Sequence, residues 1–109
     1  MKDYWQNYIN GKFVDGGAGK MQVDNPGTGE KLADQAIADN NDVDEAVFAA
    51  KKVHESGFLT NMRPVERGRM VKKIGAYLLE NLEEIAPLLS MEAGKPLFEA
   101  KFEVTNAAR

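Results

Sequence analysis

A small mixed fold is predicted here: short β-hairpin strands over about residues 8–38, then about four helices over about residues 42–109. Three observations predict it. Strand-like pairs in the first third are separated by Asn, Gly and Pro turns. At Asn40 the apolar spacing changes to three- and four-residue steps. Pro64, Pro87, Gly94 and Pro96 then punctuate the second half at helix boundaries. A chain of 109 residues has one domain as its ceiling.

Tyr8-Ile9 and Phe13-Val14 flank Asn10-Gly11, a dipeptide whose backbone tolerates the positive φ of a type I′ hairpin turn. Gly16-Gly17-Ala18-Gly19 marks a loop, Met21-Gln22-Val23 a second short strand, and Asn25-Pro26-Gly27-Thr28-Gly29 a turn before the alternating stretch Lys31 to Ala38. The first third therefore reads as antiparallel β. Val43, Ala46, Val47, Ala50 and Val53 share one helix face, predicting a helix from about Asp42 to Ser56. Asn41 is its expected N-cap. Asp42, Asp44 and Glu45 favour the positive end of its dipole, and Gly57 can close it.

Pro64 suits the first turn of a second helix, with Val71, Ile74, Leu78 and Leu82 or Ile85 on its buried stripe. Asn81 followed by Glu84 resembles a capping box, and Pro87 is expected to kink or divide anything continuous, so two helices are predicted there. Gly94 can end the later one. Pro96 can begin another, along which Leu97, Ala100, Val104 and Ala107 are helically spaced. No Gly or Pro follows Val104, so the helix is expected to run on and the chain to be truncated.

With 43% hydrophobic and 28% charged residues, the composition is that of an ordinary globular protein. The net charge is −3 and the basic residues are interleaved with acidic ones, which argues against a nucleic-acid surface. There is no cysteine, which removes disulfides, thiolate metal sites and a thiol nucleophile. The start lacks a signal-peptide apolar run and no stretch is long enough to span a membrane, so no membrane partner and a cytoplasmic location are expected.

Each candidate for chemistry has a plainer reading. The glycines before Lys20 fail the phosphate-loop spacing, because Val14 and Met21 stand where Gly and Ser or Thr are required, and Gln22 breaks a GxGxxG begun at Gly17. A hairpin loop is the better reading. Asp42-Val43-Asp44 starts like a calcium loop but lacks its glycine, so helix N-terminal charge is preferred. His54 has neither a nucleophile nor an orienting motif, and reads as a surface or packing residue. Glu92, Glu99 and Glu103 lie near Lys95 and Lys101 and read as a solvated face.

Five motifs, read in order, go further. Tyr8-Ile9-Asn10-Gly11-Lys12-Phe13-Val14, Asn25-Pro26-Gly27-Thr28-Gly29-Glu30, Asp42-Val43-Asp44-Glu45-Ala46-Val47, Glu66-Arg67-Gly68-Arg69 and Gly94-Lys95-Pro96-Leu97 together resemble the aldehyde dehydrogenase superfamily over nearly the whole chain. The stretch from Glu92 to Val104 resembles its succinate-semialdehyde type. The resemblance implies an α/β parent fold, with residues 1–109 as the N-terminal part of its Rossmann-type cofactor-binding domain. It implies oxidation of an aldehyde to an acid with NAD or NADP, by a cysteine nucleophile and a water-activating glutamate that lie outside this stretch. No catalytic or cofactor-binding residue is therefore expected here. It also implies a homodimer or homotetramer, and a monovalent cation held by backbone oxygens at Val23 and Asp24 and the carboxylate of Glu103. The alternative from another class is a stand-alone helical interaction or scaffold domain without catalytic activity.

Overall fold

A computed structural model describes residues 2–109 and divides into two units, one of the residues up to Val23 with Lys31–Met62, the other of Asp24–Glu30 with Arg63–Arg109. In the first unit, β2 (Asn7–Ile9) and β3 (Lys12–Val14) form the antiparallel hairpin that Asn10-Gly11 predicts. Asn10 has φ 49 and Gly11 φ 79, the pair of left-handed conformations that a type I′ turn needs. Across the hairpin Tyr8 and Phe13 meet edge to face at 5.1 Å.

A second sheet has the order β1-β5-β4, with β1 at Tyr4–Trp5, β4 at Lys20–Asp24 and β5 at Lys31–Ala36. Here the expectation of a purely antiparallel first third is corrected: β1 pairs parallel with β5, Tyr4 opposite Asp34 and Trp5 opposite Gln35. Two residues are too few to show an alternation, so the strand left no periodic trace in the sequence. Partners supply it instead, including the Asp34 N–H donated to the Asp3 carbonyl at 3.0 Å.

Helix α1 spans Asn40–Glu55. Its N-cap is Asp39, not Asn41, and the reason is a reciprocal capping box. The Asp42 N–H donates to Asp39 Oδ1 at 2.9 Å while the Asp39 N–H donates to Asp42 Oδ2 at 2.9 Å. Gly57, at φ 72, follows the C-terminal end as predicted, and its N–H reaches the His54 carbonyl at 3.1 Å. The predicted apolar face is present but uncovered: Val43, Val47 and Val53 are 52%, 61% and 48% exposed, whereas Asp42 and Ala49 are half-buried. Periodicity identifies residues that share a face. It does not say that the same chain covers them.

The second unit is three helices, α2 (Pro64–Glu80), α3 (Leu82–Ala93) and α4 (Leu97–Ala107), with the turn after β4. The division between α2 and α3 falls at Asn81, and Pro87 sits inside α3 without ending it. Asn81 makes no side-chain cap to Glu84, because its Nδ2 donates backward to the Tyr77 carbonyl at 2.8 Å. The core lies between α3 and α4. Ala86 and Ala100 are fully buried and Val104 nearly so, with Leu78, Leu82, Ile85 and Leu89 packed around them. Alanines at the contact let two helix backbones approach closely, and Gly75 plays the same part for α2, where an added Cβ would overlap the Ala108 carbonyl. Of the stripe predicted for α2, Leu78 joins this core, while Val71 and Ile74 stay exposed.

Candidate functional site

Two places gather the motifs that the sequence singled out, one in each unit. In the first unit the glycine loop closes on the start of α1. Gly17 N–H donates to Asp42 Oδ2 at 2.8 Å, so one carboxylate oxygen accepts from both the loop and the Asp39 N–H of the helix cap. Gly16 lies so close to Ile37 that a Cβ would overlap the Ile37 backbone, and at Gly17 it would overlap the Asp39 carboxylate. The loop amide is thus committed to an aspartate of the same chain. The cluster is not the hairpin loop expected of it, because it joins β3 of one sheet to β4 of the other and serves as a capping loop, while Asp42 is a helix-capping group, as the failed calcium-loop spacing suggested.

The hydrogen bond from Gly17 N–H, followed by that from Asp39 N–H, holds the Asp42 carboxyl below the ordinary aspartate pKa. A carboxyl depressed in the folded state contributes stability above its unfolded pKa and loses it as pH falls through the folded value. The loop-to-helix contact is therefore expected to persist at neutral pH and to open only below about pH 3.9, the ordinary aspartate value. Amide shifts of Gly17 and Asp39 that titrate together in acid would verify this; a midpoint at or above the ordinary value would refute it. Nearby, hydrogen bonds from Tyr4 and then Gln6 likewise lower the Asp15 carboxyl. Burial and then the Asp15 contact raise the Tyr4 phenol.

In the second unit the turn after β4 meets the junction of α3 and α4. The turn is held by Asn25, whose carbonyl accepts from Gly29 N–H at 2.7 Å and whose Oδ1 accepts from Gly27 N–H at 2.8 Å. Gly94 caps α3 with φ 69, and a Cβ there would stand 2.7 Å from Pro26 Cγ. Two motifs almost seventy positions apart are thereby in contact. Ser90 Oγ donates to the Lys95 carbonyl at 2.6 Å, Pro96 is the N-cap of α4, and Lys95 Nζ donates to Glu103 Oε2 at 2.6 Å. Only the location of the motifs was legible beforehand. The Pro26–Gly94 contact has no signal in a single sequence.

The residues expected to hold a monovalent cation are placed as follows. Val23 and Asp24 are the last two residues of β4, Val23 in the first unit and Asp24 in the second. Glu103 is on α4 with the Lys95 ammonium on its carboxylate. Among the described residues no group of three or more His, Cys, Asp or Glu side chains could hold a metal ion. Lys101 pairs with Glu83 at 2.8 Å, and His54 is exposed in the last turn of α1. Among the same residues no helix is long and apolar enough to cross a membrane.

The family model described as the aldehyde dehydrogenase family matches residues 13–109, and the chain belongs to that family. It is 42% identical over 102 residues to malonate-semialdehyde dehydrogenase 1 of Oceanobacillus iheyensis, covering 93% of this chain and 21% of the relative. It is 29% identical over 108 residues to succinate-semialdehyde dehydrogenase [NADP(+)] 2 of Schizosaccharomyces pombe, covering 98% and 22%. Its fold matches the crystal structure of an NAD-dependent aldehyde dehydrogenase from Sinorhizobium meliloti with a TM-score of 0.91 and 34% identity, over 99% of this chain and 22% of that one. The chain spans about a fifth of the length of the relatives it matches.

Proposed function

We propose that this chain is the N-terminal structural part of an NAD(P)-dependent aldehyde dehydrogenase that oxidises an aldehyde to a carboxylic acid. The observation that carries the reading is the pairing of a match over nearly all of this chain with only about a fifth of each relative. A stand-alone interaction domain accounts less well for that pairing. In this reading residues 1–109 belong to the cofactor-binding domain. They contribute the hairpin, the capped helix α1 and the α3–α4 junction, and the thiol nucleophile, the glutamate and the groups that hold NAD or NADP come from elsewhere. The glycine loop spends its Gly17 amide on Asp42, which supports placing the dinucleotide-holding groups elsewhere. Assembly as a homodimer or homotetramer and action in the cytoplasm belong to the same reading.

A carboxylate-bearing aldehyde is the proposed substrate class, because the two curated relatives described above carry semialdehyde names. The resemblance of Glu92 to Val104 to the succinate-semialdehyde type gains no support from identity, which is higher for the malonate-semialdehyde relative.

The isolated 109-residue chain is expected to show no NAD- or NADP-dependent oxidation of malonate or succinate semialdehyde, and no other aldehyde activity, since it has no cysteine. It is also expected to enhance the fluorescence of an apolar dye and to self-associate, because Val47, Phe48, Val71, Ile74, Phe98 and Phe102 are all more than 60% exposed. Measurable turnover would overturn the inactivity. A monomer that ignores the dye would favour the interaction-domain alternative.

A further inference from the structure

We infer that the ammonium of Lys95, rather than a monovalent metal ion, is the resident cation of the Glu103 carboxylate. The inference rests on the junction between α3 and α4 and is independent of the activity assigned to the whole protein. Lys95 Nζ lies 2.6 Å from Glu103 Oε2, at the short end for a charge-assisted hydrogen bond. The lysine is not a free surface side chain: it is 23% exposed, against 52% for the glutamate. Its backbone is set on both sides and in the middle. Gly94 holds a left-handed cap before it, Pro96 fixes φ −57 after it, and its own carbonyl accepts the Ser90 hydroxyl at 2.6 Å.

This pre-ordering decides the competition for the carboxylate. An alkali ion must be captured from solution and needs several hard oxygen ligands. The ammonium is tethered eight residues away in sequence and meets the same oxygen at the effective concentration of an intramolecular partner. It also carries the full positive charge that the ion would bring, on the same carboxylate. The carboxylate expected to be an ion ligand instead joins the start of α4 to its second turn. Through Gly94 and Pro26 the same junction is linked to the turn after β4.

The test uses the 109-residue chain labelled with nitrogen-15, and reads the lysine ammonium groups directly by proton–nitrogen correlation at low temperature. The Lys95 ammonium is expected to exchange with water severalfold more slowly than the other lysine ammonium groups. That protection should disappear in Glu103→Gln and persist in Glu83→Gln, which breaks the Lys101 pair of the same chemical type. In parallel, the sodium-23 linewidth is followed as sodium chloride replaces choline chloride at constant ionic strength, and no saturable binding is expected. Saturable sodium binding that Glu103→Gln abolishes would overturn the inference. So would a Lys95 ammonium that exchanges as fast as the rest, or one whose protection survives Glu103→Gln.

Discussion

Replacing Gly16 by alanine is expected to destabilise the first unit by about 3 kcal/mol, the upper end of what forced overpacking costs. The added methyl would be driven into the N, C and O atoms of Ile37, all backbone. Backbone cannot turn aside as a flexible side chain can. Relief therefore requires the loop to move away from the end of β5, breaking the Ala18 N–H bond to the Ile37 carbonyl at 3.1 Å and the Ile37 N–H bond to the Gly19 carbonyl at 2.9 Å. The same movement would pull Gly17 from Asp42 and uncap α1. Hydrogen exchange reads this directly: the amides of Gly17, Ala18 and Ile37 should lose protection together. Wild-type protection in Gly16→Ala would show that the close approach is not a feature of the folded chain. Gly68→Ala is the control, since an added Cβ there meets nothing within 4 Å, and mid-helix alanine is favoured over glycine by roughly 0.5–1 kcal/mol.

Gly94→Ala should cost the second unit about 2–5 kcal/mol, from two separable causes. Left-handed backbone at φ 69 costs a non-glycine residue about 1–2 kcal/mol. The new methyl also stands 2.7 Å from Pro26 Cγ, a ring that cannot rotate away, which adds a comparable overpacking cost of about 1–3 kcal/mol. A second variant separates them. Gly94→Asn tolerates the left-handed conformation and keeps the collision, while combining Gly94→Ala with Pro26→Ala removes the collision and keeps the strain. Urea unfolding followed by helical circular dichroism should place both intermediate between wild type and Gly94→Ala. Equal loss in Gly94→Ala and in its combination with Pro26→Ala would mean that Pro26 does not rest on Gly94.

Local chemistry made much of this chain legible from residues alone. Asn10-Gly11 could hardly be anything but a tight hairpin, because both positions need positive φ, and the structure has φ 49 and φ 79 there. Pro64 at the start of α2 and Gly94 at the end of α3 were readable for the same reason, each being suited to one backbone state. The motifs also pointed to the family, since they occur in order along the chain and need no contact to be recognised.

What remained hidden depends on partners far away in sequence. Strand β1 exists because Asp34 and Gln35 stand beside it, and two residues have no period of their own. Asp39 displaced Asn41 as the cap of α1 because Asp42 returns its hydrogen bond, and Gly17 adds another to the same carboxylate. The exposed stripes of α1 and α2 show the same limit from the other side. Spacing determined that Val43 and Val47, or Val71 and Ile74, point the same way, but burial depends on what else is folded against them. Glu103 shows it most clearly in the candidate site. Its neighbours in sequence marked a solvated carboxylate, the family resemblance marked an ion ligand, and only the folded junction brought the Lys95 ammonium to it. The sequence by itself determined the local backbone states and the family. Tertiary structure decided the pairings, because a hydrogen bond or a steric contact between distant residues is a property of distance in space, which residue order does not contain.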